Sequence, residues 1–476
     1  MRTRRLLAAL VLVASASRAD VTLPRVFSSE MVLQRETQAA IWGWADPAEA
    51  VTIKCSWAKA PIRLKADAEG KWSARLPTGK AGGPHSITIS ASNTIILEDV
   101  LFGEVWLCSG QSNMEMPVAP VSRAYTGIKD WQKELADANH PQIRLFQVGN
   151  LASKRPAKDV QPGVSVYGVR VPPCRWQKCS PESVRHFSAT GYFFARHLHR
   201  ELGVPVGIID ASWGGTAIEV WIGAKHLAKA GFGNVVKAAE KAPDRPNAQG
   251  VPTRLYNGMI APLMPFTIKG AIWYQGESNS RNPKPYKKLM EALIADWREG
   301  FKTNLSFYYV QLAPFGYRHN AAYLREQQLK ALSVEKTGMV VTMDIGNLRD
   351  IHPKNKQEVG RRLALWALAN DYGRNIVYSG PIYKSMKIEG RKVRLRFDHV
   401  GRGLTALGGR LRGFEVAGAD KKFHQATATI VGDEVVVWSP EVEAPVAVRY
   451  AFTSTATASL MNKDGLPASP FRTDDW

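Results

Sequence analysis

The sequence predicts an α/β domain built on a parallel sheet, flanked on either side by an all-β domain. Three observations lead there. The chain has 476 residues, more than one hydrophobic core usually organises, so two or three domains are expected. Between about residues 100 and 372, apolar runs of strand length alternate with amphipathic helical stretches, the pattern of parallel strands joined by crossover helices. On both sides of that stretch, short β-type runs follow one another across turn residues, with little helical periodicity.

In chain order, residues 1–19 read as a secretory leader. Arg2, Arg4 and Arg5 precede the apolar run Leu6–Val13, and the small residues Ser17 and Ala19 supply a cleavage site. The run is too short to span a membrane, and no later stretch reaches that length. A periplasmic or extracellular protein without stable membrane insertion is therefore expected, with an uncleaved anchor as the alternative. Residues 20–99 contain Ala39–Trp44, Val51–Ile53 and Ser86–Ile89, separated by Asp-Pro, Glu-Gly and Gly-Gly-Pro, and read as a small β domain. The middle opens with the apolar run Val100–Cys108, as expected of a strand buried on both faces. Comparable runs recur at Ile143–Val148, Val206–Ile209, Ile268–Tyr274, Leu305–Leu312 and Met339–Met343. Helices are expected at Tyr192–Leu202, Tyr286–Trp297, Tyr323–Val334 and Lys356–Asn370. Residues 373–476 return to β-type runs, among them Val393–Phe397, Ala428–Val431, Val435–Trp438 and Val446–Tyr450.

The formal charge of +21 comes from 63 Lys and Arg against 42 Asp and Glu. The basic residues are scattered and form no dense block, which argues against a nucleic-acid partner and for a basic surface favouring anionic surroundings or substrates. Cys174 and Cys179, in a Pro-rich loop, are the natural local disulfide pair in an exported chain. Cys55 and Cys108 sit in strand-like sequence and read as buried thiols. No second close Cys or His pair completes a zinc site.

In open α/β sheets reactive groups gather beyond the carboxyl ends of the strands. There the chain places Ser109-Gly110-Gln111-Ser112-Asn113-Met114, Trp213-Gly214-Gly215-Thr216, Gln275-Gly276-Glu277-Ser278-Asn279 and Asp350-Ile351-His352-Pro353. A hydroxyl, a glycine pair, carboxamides and an acid beside a histidine are the set that acyl transfer at serine needs. Ser112 is the candidate nucleophile, or else a helix cap. His352 is the candidate base, since it alone of ten histidines follows a buried strand with a carboxylate two residues before it and proline after it. Asp350 can share a side with His352 in extended backbone, and Asp344 competes for the same role. The Ser112 and Gly215 N–H groups and the amides of Gln275 or Asn279 are candidate oxyanion donors.

These motifs, with Gly103–Cys108 before them and Met31–Arg35 and Ile41–Trp44 in the leading β segment, resemble the sialate O-acetylesterase family of SGNH hydrolases. The resemblance runs from about Val21 to Asp371. It implies a flavodoxin-like three-layer α/β/α domain, Ser112 as nucleophile, His352 as base and no cofactor. Two departures stand out: the acid usually lies three residues before the histidine, where this chain has Arg349, and the usual Gly-x-Asn-Asp block is Gly276-Glu277-Ser278-Asn279. The expected substrate is an acetylated carbohydrate, with sialic acid O-acetyl esters first and acetylated xylan or another polysaccharide as the alternative. Trp213, Trp221, Trp273 and Tyr274 flank the motifs as candidate sugar platforms or as core. Arg325 is a candidate for a substrate carboxylate, or else forms an internal salt bridge. From a different class, a non-catalytic glycan-binding protein would use the β domains as its surface.

Overall fold

The computed structural model describes residues 20–161, 174–245 and 248–476, so the expected leader lies outside the described residues. The central sheet contains β1 (Thr94–Gly110), β2 (His140–Gln147), β3 (Trp176–Cys179), β4 (Val206–Ser212), β5 (Gly270–Tyr274), β6 (Ser306–Val310) and β7 (Thr337–Val340). Their order is β7-β6-β5-β1-β4-β2-β3, parallel throughout except for the antiparallel edge strand β3. Strands β2, β3 and β4 all lie on one side of β1, with β4 inserted between β1 and β2, and the chain crosses to the other side at β5. The crevice beyond β1, between β4 and β5, is thus the switch point where such sheets carry their sites.

Strand β1 explains how the flanking β region joins the sheet. Its first half alternates in burial and pairs antiparallel with Gly82–Ser90, while every residue from Val100 to Gly110 is buried. The pattern changes where the strand leaves a one-sided sheet and gains β4 and β5 as neighbours, with helices on both faces. The expected boundary between residues 99 and 100 falls inside this continuous strand.

Alternation along the buried strands sorts the core into two layers. Val105, Leu107, Ile209 and Trp273 face one way, with Leu289, Leu293 and Trp297 of the helix Tyr286–Gly300. Trp106, Cys108, Ile208 and Tyr274 face the other, with Phe194 and Leu198 of Ala189–Leu202 and Leu363 and Ala367 of Lys356–Asn370. This is the three-layer α/β/α arrangement. Beyond it, the C-terminal segment forms antiparallel sheets, one of them from Ile382–Glu389, Lys392–Asp398, Thr427–Val431 and Glu434–Trp438. No helix among the described residues is long and apolar enough to cross a membrane.

The expected disulfide is corrected. Cys179 lies in β3, paired opposite His140, and its thiol donates to the Ala138 carbonyl at 3.5 Å. The Cys174 thiol instead donates to Gln161 O at 2.7 Å and accepts from Gly149 N at 3.2 Å. The two sulfurs serve different backbone segments, and no bond joins them.

Candidate active site

Ser112 opens the short helix α1 (Ser112–Glu115) directly after β1. It is the only residue from Val100 to Ala119 that is not buried. The helix-cap reading fails locally, because Gln111 holds the cap position and makes no side-chain cap bond. The turn into α1 depends on Gly110, whose φ of +141° suits glycine and whose absent Cβ would run into the Tyr274 carbonyl. Gln111 N donates to Tyr274 O and Trp213 N donates to Gly110 O, each at 3.0 Å, so the ends of β5 and β4 are stitched to the residues just before Ser112.

The loop after β4 supplies Gly214 and Gly215. Gly214 N donates to Glu115 Oε2 at 2.8 Å, and Gly215 is exposed with φ +73°. Among the described residues, neither the Gly215 N–H nor the Ser112 N–H has a hydrogen-bond partner. Glu115 is buried, and desolvation pushes its carboxyl up to about 7 despite the bonds from Gly214 and from Tyr125 OH at 2.7 Å. The Tyr125 ring in turn meets His352 edge to face, with centroids 5.2 Å apart.

The two carboxamides do different work from that expected. The Gln275 amide nitrogen lies at 3.1 Å from Gln111 Oε1, 3.0 Å from Thr216 O and 2.8 Å from Asn279 Oδ1. Asn279 Nδ2 donates to Glu219 Oε2 at 2.9 Å, and its Oδ1 also accepts from Ile218 N. Both amides are buried and spent on the floor beneath the strand ends. Of the expected donors, the backbone N–H groups of Ser112 and Gly215 are those with no hydrogen-bond partner among the described residues.

His352 lies on the loop before the helix Lys356–Asn370, and its side chain is 12% exposed. Asp350 Oδ1 accepts from the His352 backbone N–H at 2.9 Å and lies 3.7 Å from Nδ1 of the ring. The competing Asp344 is held in a two-pronged pair by Arg362, at 2.7 and 2.6 Å. Burial foremost, and then the charge of Lys356, hold the His352 imidazole below its ordinary range, against the pull of Asp350.

Asn113 joins the Ser112 and His352 segments. Its Nδ2 donates to Ile351 O at 2.9 Å and to Glu277 Oε1 at 2.6 Å, while its Oδ1 accepts from Lys356 Nζ at 2.6 Å. Lys356 is wholly buried, 5.1 Å from the Tyr274 ring centroid, and desolvation brings its ammonium down to about 7. Desolvation likewise raises Glu277, whose Oε2 is buried without a hydrogen bond. Asn113 lay within the motif around Ser112, whereas Glu115, just beyond it, and Tyr125 and Lys356 were not singled out by the sequence. Trp213 is partly buried and packs on the core beside the site. Arg325 is corrected: it is fully buried and donates to the carbonyls of Leu312, Ala313, Thr453 and Ser454 at 2.8–3.0 Å, so no substrate carboxylate reaches it.

A family model described as carbohydrate esterase, sialic acid-specific acetylesterase, matches residues 102–369, which span β1 to the last helix of the α/β region. The chain belongs to that family. Human sialate O-acetylesterase is 32% identical over 413 residues, covering 78% of this chain and 75% of the human protein. The rat enzyme is 31% identical over 434 residues, covering 78% and 77%. The crystal structure of a carbohydrate acetylesterase from Xanthomonas citri superposes with a TM-score of 0.85 at 40% identity, covering 96% of this chain and all of that one. As a member of this esterase family the chain is a carboxylic ester hydrolase with a carbohydrate esterase fold, and the matched segment includes all four strand-end motifs.

Proposed function

We propose that this chain is an exported O-acetylesterase that removes acetyl groups from sialic acid through a Ser112–His352–Asp350 acyl-enzyme mechanism. The observation that carries the reading is the placement of Ser112: one accessible hydroxyl in a buried stretch, with the next residue hydrogen-bonded to the residue before His352. The neutral His352 takes the Ser112 proton as Oγ adds to the acetyl carbonyl, and the N–H groups of Ser112 and Gly215 receive the oxyanion. The tetrahedral adduct collapses as imidazolium protonates the departing sugar oxygen. His352 then takes a proton from water, whose oxygen adds to the acetyl-serine. Collapse of that adduct releases acetate and returns the proton to Ser112. Asp350 orients the imidazole and steadies its charged form.

A second reading within the class takes an acetylated polysaccharide such as xylan as substrate, and the likeness to the Xanthomonas carbohydrate acetylesterase is compatible with either. Acetate release from O-acetylated sialic acid and from acetylated xylan separates the two. Either reading requires turnover of a small acetyl ester and its loss in Ser112→Ala. Full turnover by that variant rejects Ser112 as the nucleophile, whereas no turnover by the intact protein rejects the mechanism and leaves the glycan-binding alternative.

A further inference from the structure

At the opposite end of the sheet from Ser112 lies a cavity of about 630 Å³. It opens between the leading β region and the turn at 261–265 that runs into β5. The five residues of β5 put about 17 Å of strand between it and the reactive loops. Its volume falls within the usual range of small-ligand sites, about 300–1,000 Å³, and the seam between two regions of a chain is a usual place for one.

The wall is set by one strand. In Gln38–Trp44 the residues Trp42 and Trp44 alternate with Gly43, so both indoles leave the same face, and both are partly exposed. The partner strand places Ser73 opposite Trp42 and Lys71 opposite Trp44 on that face. From across the cavity Lys158 sets its ammonium 4.2 Å from the Trp44 ring centroid. Asp67 also lines the cavity, where its Oδ1 accepts the Glu69 and Lys71 backbone N–H groups at 3.0 and 2.7 Å, and the nearby Asp159 pairs with Arg25. Among the described residues neither Lys71 nor Lys158 forms an ion pair. Two aromatic rings side by side with two ammonium groups outside any ion pair, one of them over the Trp44 ring, match a flat apolar ring face that carries a carboxylate at its edge.

We propose that this cavity is a glycan-binding site separate from the reacting centre, taking a sugar ring that bears a carboxylate. The C–H face of the ring lies on Trp42 and Trp44, and the carboxylate sits between Lys71 and Lys158. Sialic acids and uronic acids share this chemistry, so both are tested. Calorimetric titration of the full chain with 3′-sialyllactose and with 4-O-methylglucuronosyl-xylotriose, neither of them acetylated, reads binding without turnover. At least one binds with a millimolar or tighter Kd, and added salt weakens it. Trp44→Ala and Lys158→Glu each weaken it about tenfold or more, with hydrolysis of a small acetyl ester unchanged. Lys158 is exposed, so its variant keeps the fold if the indole truncation does not. The proposal is overturned if neither acidic probe binds in the millimolar range. It is equally overturned if both variants bind as well as the parent, or if neutral xylotetraose binds as tightly as the acidic probes. Failure of the acyl-enzyme reading would appear in Ser112→Ala turnover and leave this binding readout untouched.

Discussion

Asp344 meets the two terminal nitrogens of the Arg362 guanidinium, whereas Asp350 meets a backbone N–H and a nearby imidazole. The same carboxylate therefore has different consequences when neutralised. In the proposed mechanism Asp350→Asn removes the charge that would orient His352 and steady imidazolium, so kcat should fall about a hundredfold or more with KM little altered. Asp344→Asn breaks a largely buried ion pair and should lower the melting temperature while leaving kcat of the folded protein near that of the parent. Steady-state kinetics beside thermal unfolding of both variants checks this. Loss of kcat in Asp344→Asn with a benign Asp350→Asn would reverse the assignment.

At the scale of elements, the helix Lys356–Asn370 does more than cover the sheet. Its first residue reaches Asn113 on α1, and Asn113 reaches the His352 loop and Glu277 after β5. Three strand-end segments are thereby tied through one amide. The buried ammonium also acts on His352 by charge. With His352 as the proposed base, which must be neutral, activity should rise with pH through the His352 titration, and burial with Lys356 holds that titration below the ordinary imidazole value of 6.5. Lys356 titrates near 7 and is therefore charged across that limb. Lys356→Met should move the acid limb of kcat/KM upward by about half a pH unit or more, and Lys356→Arg should leave it nearly in place. A limb that stays put in the methionine variant removes the electrostatic role. The helix itself was legible in the sequence at its observed ends, as were the parallel strands, because burial on one stripe or two faces writes a local period. Its role in the site was not, since Asn113 and Lys356 are 243 residues apart and a period reports only near neighbours. The edge strand β3 was hidden for the same reason: four residues read as loop until they pair with β2. The motifs showed that amides stand at the end of β5, but not that Gln275 and Asn279 spend them on each other and on Thr216 and Glu219.

Across the whole molecule, the C-terminal β segment is held to the α/β region by buried polar bonds at the ends of β6 and β7. Gln311 Nε2 donates to Ser469 Oγ at 2.9 Å, Ser454 Oγ donates to His319 O at 2.6 Å, and Ala458 N donates to Met343 O at 3.0 Å. Arg325 sits between the two regions. Two of its four acceptors, Leu312 and Ala313, follow β6, and the other two, Thr453 and Ser454, belong to the C-terminal segment. No carboxylate is among its hydrogen-bond partners, and burial lowers its guanidinium to about 10. Bonds to four carbonyls in fixed directions explain why a planar fork is used where a lysine ammonium would not serve. Arg325→Met keeps the apolar stem but leaves four carbonyls without that donor, so it should cost about 3 kcal/mol or more in urea unfolding. Arg325→Lys should recover only part of that, because one ammonium cannot span acceptors on two segments. The kinetics separate this from the substrate role expected at first: in the folded fraction of Arg325→Met, KM for an acidic acetylated sugar should match the parent. Unchanged stability together with a raised KM would instead return Arg325 to the substrate site.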